Sequence, residues 1–127
     1  MNHESHIDLN ADVGERPPAL REGTEEKLLS LVTSANIACG GHAGDAETMA
    51  VVLAMCKRYG VAAGAHPGFP DRANFGRIEM PMTASELAGC VFEQVRTLAR
   101  IAQQQHGELQ HVKPHGALYN VAVHNKR

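Results

Sequence analysis

Four apolar runs of this chain end abruptly in clusters of histidine, aspartate, asparagine, lysine and glycine, and this pattern restricts the fold more than any other feature. The clusters occupy residues 9–12, 36–42, 64–68 and 112–116. Helical patterns lie between the runs, and regular alternation of strand and helix is typical of a parallel sheet. Because the carboxyl ends of parallel strands meet at one edge, where ligands bind, we expect the four clusters to form one active site.

The local signals define the elements of this α/β pattern. Asp45 is predicted to cap the helix that ends at Gly60, and Thr83 forms a capping box with Glu86 at the start of a longer helix. A further helix is predicted from Ala117 onward. The strands are predicted at residues 6–10, 34–39, 61–65 and 109–112.

The length of the chain limits how complete this fold can be. A closed eight-unit barrel needs about 250 residues, and this sequence has 127. We therefore predict that residues 1–127 form a single (β/α) region, about half of an incomplete TIM-like barrel. Exposed sheet edges on such a half barrel are expected to favour a homo-oligomer.

Composition excludes several classes of partner. The net charge is −2 with acids and bases interspersed, and aromatic residues make up only 4% of the chain, so we expect neither a nucleic-acid partner nor a membrane. The amino terminus lacks the pattern of a signal peptide, and no apolar stretch is long enough to span a bilayer. Three cysteines without a CxxC pair fit a reducing compartment, so a cytoplasmic location is predicted.

The strongest catalytic candidates are one carboxylate and three imidazoles at the predicted strand ends. Strand alternation places Asn10 and Asp12 on one side, and His42, His66 and His115 follow the other three strands. Asp12, His42 and His66 could hold a divalent metal such as Mg²⁺ or Zn²⁺, which would polarise an amide or activate water. The alternative for the first strand is that Asp12 and its neighbour Glu15 only satisfy loop amides.

Four further residues are candidates for binding substrate or phosphate. Asn10 stands beside Asp12, and Asp45 ends a glycine-rich loop at a helix N-terminus, a position that favours an anion. Lys113 and Arg77 supply cations for carboxylate or phosphate oxygens. The alternatives are that Asp45 only caps its helix, that Lys113 is solvated, and that Arg77 ties down its own loop.

At these same residues the sequence resembles the family of 5-oxoprolinase A subunits, also called LamB/YcsF or the lactam-utilisation family. The matching blocks are residues 8–15, 34–45, 64–71 and 112–120. They span nearly the whole chain but only the N-terminal half of the family pattern. One departure is Ile78, where the family usually has a second arginine.

The resemblance implies a barrel similar to that of the polysaccharide deacetylases. It also implies ATP-dependent opening of 5-oxoproline to L-glutamate, with ATP as cofactor and the B and C subunits of 5-oxoprolinase as partners. Lys113 and Arg77 would hold anionic oxygens, and His66 or His115 would move protons. Two other interpretations stay open: a truncated, non-catalytic fragment or binding subunit, and a metal-dependent amide or acetyl hydrolase that works without ATP.

Overall fold

The computed structural model describes residues 4–125 and contains one sheet of four parallel strands in the order β1-β2-β3-β4. The α/β class and the parallel sheet are therefore confirmed. The strands are β1 (Asn10–Val13), β2 (Ser34–Ala38), β3 (Ala62–His66) and β4 (His111–Val112). The helices are α1 (Pro17–Arg21), α2 (Thr24–Leu29), α3 (Ala46–Tyr59), α4 (Ala84–Gln104) and α5 (Gly116–His124).

The two long helices begin where their capping signals predict. The Asp45 carboxylate accepts a hydrogen bond from the backbone N–H of Thr48 at the start of α3. Thr83 and Glu86 form both hydrogen bonds of a capping box at the start of α4. Gly60 ends α3 with a φ of 66°, a left-handed conformation in which glycine carries no steric penalty. No helix in residues 4–125 is long and apolar enough to cross a membrane.

The prediction of β1 at residues 6–10 is wrong, because the strand begins only at Asn10. Burial explains the shift: Val13 is 1% exposed and joins Ile37 in the core, whereas Ile7 is 78% exposed. The strand therefore ends beyond Asp12. After the strand, Glu15 is the first residue in the loop whose side chain lies at the carboxyl edge of the sheet.

One face of the sheet is apolar and carries the core. Val13, Ile37 and Ala65 point to this face, where they join Val52 of α3 and Leu98 of α4 in a single cluster. Alternation along the strands sends the intervening residues to the opposite face.

The opposite face is polar and is tied together by hydrogen bonds between strands. The amide of Asn36 donates to Asp12 at 2.9 Å, and the Nε2 of His111 donates to the Asn36 Oδ1 at 2.7 Å. Gly64 lies between Asn36 and His111 in the strand register. A Cβ atom on Gly64 would come within 2.2 Å of the His111 imidazole. The glycine therefore leaves room for the imidazole to reach across β3.

Replacing Gly64 by alanine should destabilise the fold. The new methyl group forces the His111 imidazole away and breaks its hydrogen bond to Asn36, which we expect to cost about 1–3 kcal/mol. Gly89 of α4 is a matched control, because nothing lies within 4 Å of a Cβ built there. Gly89→Ala should stabilise the protein by about 0.5–1 kcal/mol through helix propensity. Urea denaturation of both variants measures the difference; equal midpoints would contradict the steric account.

Candidate functional site

Three buried imidazoles and one carboxylate meet at the carboxyl edge of the sheet. Glu15 follows β1, His42 lies in the loop after β2, His66 ends β3, and His115 is the N-cap residue of α5 after β4. The three histidines are between 1% and 7% exposed. The parallel topology thus brings together residues that are far apart in the chain. We call these four residues the Glu/His cluster.

The four side chains of the Glu/His cluster present one ligating atom each to a common centre. The Glu15 Oε1 lies 3.0 Å from the Nε2 of His42, 3.6 Å from the Nε2 of His66 and 3.7 Å from the Nδ1 of His115. The Nδ1 of His115 is 3.1 Å from the Nε2 of His66. All four ligating atoms lie within 4.8 Å of one another. Stacking adds rigidity, since the His42 and His115 rings are nearly parallel with centroids 3.6 Å apart.

The hydrogen bonds behind the rings fix which nitrogens face the centre. The Nδ1 of His66 donates to the Lys113 carbonyl at 2.6 Å, and the Nε2 of His115 donates to the Phe75 carbonyl at 2.7 Å. A neutral imidazole has only one N–H. The nitrogens of His66 and His115 that face each other are therefore both lone-pair acceptors, beside the acceptor oxygen of Glu15.

Burial keeps these imidazoles neutral. It lowers the pKa of His66 and that of His115 below the ordinary value of 6.5, and the opposing influence of their hydrogen bonds to carbonyls is smaller. A group of neutral nitrogen acceptors around a carboxylate attracts a cation. Metal-binding histidines commonly donate their second N–H to a backbone carbonyl in this way.

Asp12 and Lys113 form an ion pair at the rim of the Glu/His cluster. The Lys113 Nζ lies 3.1 Å from one Asp12 oxygen, and the other oxygen lies 3.5 Å from the Nε2 of His66. Burial acts to raise the pKa of Asp12, but the hydrogen bond from Asn36 and the neighbouring charges lower it below 3.8. Asp12 is therefore an ionised acceptor at neutral pH, next to a cation that is 41% exposed.

A buried carboxylate supports the loop that carries Glu15. Gly14 adopts a φ of 73°, and its backbone N–H donates to the side chain of Glu25 from α2. Burial raises the pKa of Glu25 above 4.5, although this hydrogen bond acts in the opposite direction. Glu25 thereby fixes the turn from which Glu15 reaches the three imidazoles.

The structure brings most of the predicted catalytic residues together. His42, His66 and His115 lie in the Glu/His cluster, and Asp12 lies at its rim. The carboxylate among the four convergent ligands is Glu15, in place of the Asp12 of the predicted metal set. The sequence signal for Glu15 is its position shortly after the first strand. Because β1 is predicted to end at residue 10, the prediction places Glu15 farther along the loop.

The predicted binding residues differ in their positions. Lys113 lies beside Asp12, and the Asn10 amide bonds to Ser34 and Asn36 on the polar sheet face. Asp45 serves as the cap of α3, and the Arg77 guanidinium stands over the Phe75 ring, 5.2 Å from its centroid. Binding roles for Asn10, Asp45 and Arg77 stay predictions.

Cys39 is a buried structural residue. Its side chain is 3% exposed, and burial raises the pKa of its thiol to about 12. The thiolate is the nucleophilic form of cysteine. Cys39 is therefore a poor nucleophile at neutral pH.

Comparison with known proteins places this chain in a family. A family model described as the LamB/YcsF family matches residues 7–127. The chain belongs to the LamB/YcsF family. Among the relatives that it matches, the A subunit of 5-oxoprolinase from Chloroflexus aggregans is 52% identical over 117 residues, which are 92% of this chain and 46% of that protein. The protein of the same name from Methylococcus capsulatus is 53% identical over 92% of this chain and 45% of its own length.

A solved structure agrees with the fold. The crystal structure of the lactam utilization protein from Thermus thermophilus superposes with a TM-score of 0.86 at 43% sequence identity. The match covers 93% of this chain and 48% of that one. This chain therefore spans about half the length of the relatives that it matches.

Proposed function

We propose that this chain carries the active-site residues of a 5-oxoprolinase A subunit. In this proposal it works with the B and C subunits in the ATP-dependent opening of 5-oxoproline to L-glutamate. The names of relatives about 50% identical over most of this chain support the assignment. The parallel sheet is then half of an incomplete barrel like that of the polysaccharide deacetylases. The single observation that carries the chemistry is the convergence of Glu15, His42, His66 and His115.

The donor set of the Glu/His cluster fits a divalent metal of the Zn²⁺ type. Zn–N distances of about 2.0–2.1 Å in a tetrahedral site place neighbouring ligand atoms about 3.3–3.5 Å apart. The separations from the Glu15 Oε1, 3.0 to 3.7 Å, lie around that value, and all four ligating atoms lie within 4.8 Å of one another. Imidazole suits Zn²⁺, whereas Mg²⁺ prefers oxygen ligands. Glu15, His42, His66 and His115 would hold the ion. Such an ion supplies Lewis acidity, which polarises a carbonyl or lowers the pKa of water.

A cavity beside the Glu/His cluster has the size and polarity for a small lactam acid. It measures about 480 Å³. In our proposal Lys113 holds the substrate carboxylate, and the ionised Asp12 accepts a hydrogen bond from the lactam N–H. The cavity is lined by Asp12, His66, Lys113, Pro114, His115, Gly116, Tyr119 and Asn120.

The lactam itself explains why ATP is needed. A five-membered lactam is a resonance-stabilised amide, which water attacks poorly, and phosphorylation of its oxygen converts that oxygen into a leaving group. The phosphoryl group adds negative charge near the rim, where Lys113 and the exposed Arg77 would hold anionic oxygens. Without a bound metal, His66 or His115 would transfer protons through the nitrogen that faces the centre, because the other nitrogen of each ring donates to a carbonyl.

Glutamate release from 5-oxoproline tests the proposal. The chain and a full-length relative are each combined with the B and C subunits and ATP, and His66→Ala in the relative serves as the inactive comparison. We expect glutamate release that needs ATP and falls by at least about 100-fold in the variant, the lower range for loss of a general acid–base group. Full activity of the His66→Ala relative would contradict the proposed site.

A metal-dependent amide or acetyl hydrolase without ATP is the second candidate. The Glu/His cluster is complete within residues 4–125, so hydrolysis by this site needs no nucleotide in principle. Omitting ATP separates the two functions: glutamate release that continues without ATP but stops after chelation favours the second candidate.

A non-catalytic fragment or binding subunit is the third interpretation. β1 and β4 each pair with only one strand in the described part of the sheet, so both have a free edge. Such edges favour pairing with another chain. A dimer in solution without activity, beside an active full-length relative, would support this interpretation.

A further inference from the structure

Gln94 of α4 holds the backbone of the loop after β3 from behind. Its Oε1 accepts a hydrogen bond from the Gly68 N–H at 3.1 Å, and its Nε2 donates to the Gly68 carbonyl at 2.8 Å. The second N–H of the amide donates to the Cys90 sulfur at 3.2 Å. Gln94 is 8% exposed. The Gln94 amide thus satisfies both backbone groups of Gly68, as a neighbouring strand would, although Gly68 lies in a loop outside the sheet.

The loop after β2 rests on the same amide. A Cβ atom on Gly41 would lie 2.4 Å from the Gln94 Oε1 and 2.7 Å from the Gly68 carbonyl oxygen. The backbone of Gly41 therefore approaches the amide as closely as only glycine permits. His42 is the next residue, so the position of Gln94 sets the backbone position from which the His42 side chain extends.

Gly68 in turn touches two imidazoles of the Glu/His cluster. A Cβ atom on Gly68 would lie 2.9 Å from the Nδ1 of His42 and 3.4 Å from the Cδ2 of His115. The same Nδ1 of His42 is the buried side-chain polar atom that lacks a hydrogen-bond partner within residues 4–125. In this part of the chain, no hydrogen bond at Nδ1 orients the His42 ring. Packing against Gly68 and stacking on His115 do so instead.

We propose that Gln94 is a positioning residue. It fixes the spacing between the loop after β2, which carries His42, and the loop after β3, which follows His66, and so sets the ligand geometry of the Glu/His cluster. Gln94 does not itself touch the reacting centre. It acts through Gly41, the residue before His42, and through Gly68, which lies two residues after His66 and packs against the His42 and His115 rings. The effect on metal binding rests on the proposed metal site, whereas the effect on ring position does not.

Gln94→Met tests this role, because methionine has a similar length but cannot bond to the backbone of Gly68. Gln104→Met is the matched control, as Gln104 is an exposed glutamine of the same helix. Zn²⁺ affinity is measured by chelator competition, and ligand geometry by the visible spectrum of the Co²⁺ form. We expect Gln94→Met to weaken Zn²⁺ binding about 10–100-fold, as is typical for loss of an outer-shell partner, and to change the Co²⁺ spectrum, with the control unchanged.

Two measurements on the metal-free protein keep this test independent of the metal assignment. NMR should show faster hydrogen exchange of the Gly68 amide and shifted ring resonances of His42 and His115 in Gln94→Met. Wild-type protein that fails to bind Zn²⁺ would contradict the proposed metal, and Gln94 would then be judged on these ring shifts.

A milder variant covers the case in which Gln94→Met does not fold. Gln94→Asn keeps both the acceptor and the donor but withdraws the amide from Gly68 by one methylene, so a smaller shift in the same direction is expected. Unchanged ring resonances and unchanged Gly68 exchange in whichever variant folds would overturn the inference.

Discussion

Glu15→Gln is expected to reduce Zn²⁺ affinity by more than about 100-fold, the upper end of what an outer-shell substitution costs. Glutamine keeps the shape of the side chain but removes the carboxylate charge from among the three imidazoles. Its amide N–H can also donate to the lone pair on the Nε2 of His66, which in the metal-free protein faces other acceptors. The metal-free variant should therefore be at least as stable as the wild type. Zn²⁺ titration and urea denaturation measure the two effects.

Glu22→Gln provides the control for this substitution. Glu22 is an exposed carboxylate in the same connection between β1 and α2, so it tests the loss of charge without the loss of a ligand. We expect wild-type Zn²⁺ affinity in this variant. Equal loss of affinity in both variants would indicate that general charge, not Glu15, attracts the ion.

Acid should destabilise the metal-free protein through His66 and His115. Both have a pKa in the folded state below the ordinary value of 6.5, because burial disfavours the charged imidazole. Between the ordinary and the lowered pKa, the unfolded chain therefore binds more protons than the folded one. Stability falls as the pH drops below about 6.5 and these two residues add no slope above it. Urea midpoints measured between about pH 8 and pH 5 with a chelator present test this expectation.

The double variant His66→Gln, His115→Gln should lose most of this dependence on pH. His124→Gln is the comparison, because the His124 side chain is exposed at the end of α5. It should leave the slope as it is in the wild type. A wild-type slope in the double variant would show that other groups cause the loss of stability in acid.

Local signals predicted the helices better than the first strand. The caps Asp45 and Thr83 act through hydrogen bonds within four residues, so the sequence contains all that is needed to find them. The start of β1 depends instead on partners far along the chain. Val13 pairs with Ile37, and only that pairing shows why Ile7 and Leu9 stay outside the strand.

The edge that carries the Glu/His cluster was predictable because parallel topology dictates it. His42, His66 and His115 each follow a strand, so the rule for strand ends brought them together without knowledge of their distances. The choice between Asp12 and Glu15 required the true end of β1. The tautomers of His66 and His115 could not be predicted, because the carbonyls of Lys113 and Phe75 reach the rings only in the folded chain.

The proposed metal site requires that the Glu/His cluster is a ligand set for one cation. X-ray absorption at the zinc edge of the Zn²⁺-loaded protein tests it most directly. We expect three imidazole nitrogens and one carboxylate oxygen at about 2.0–2.2 Å from the ion. A first shell that contains sulfur, or one without imidazole, would contradict it.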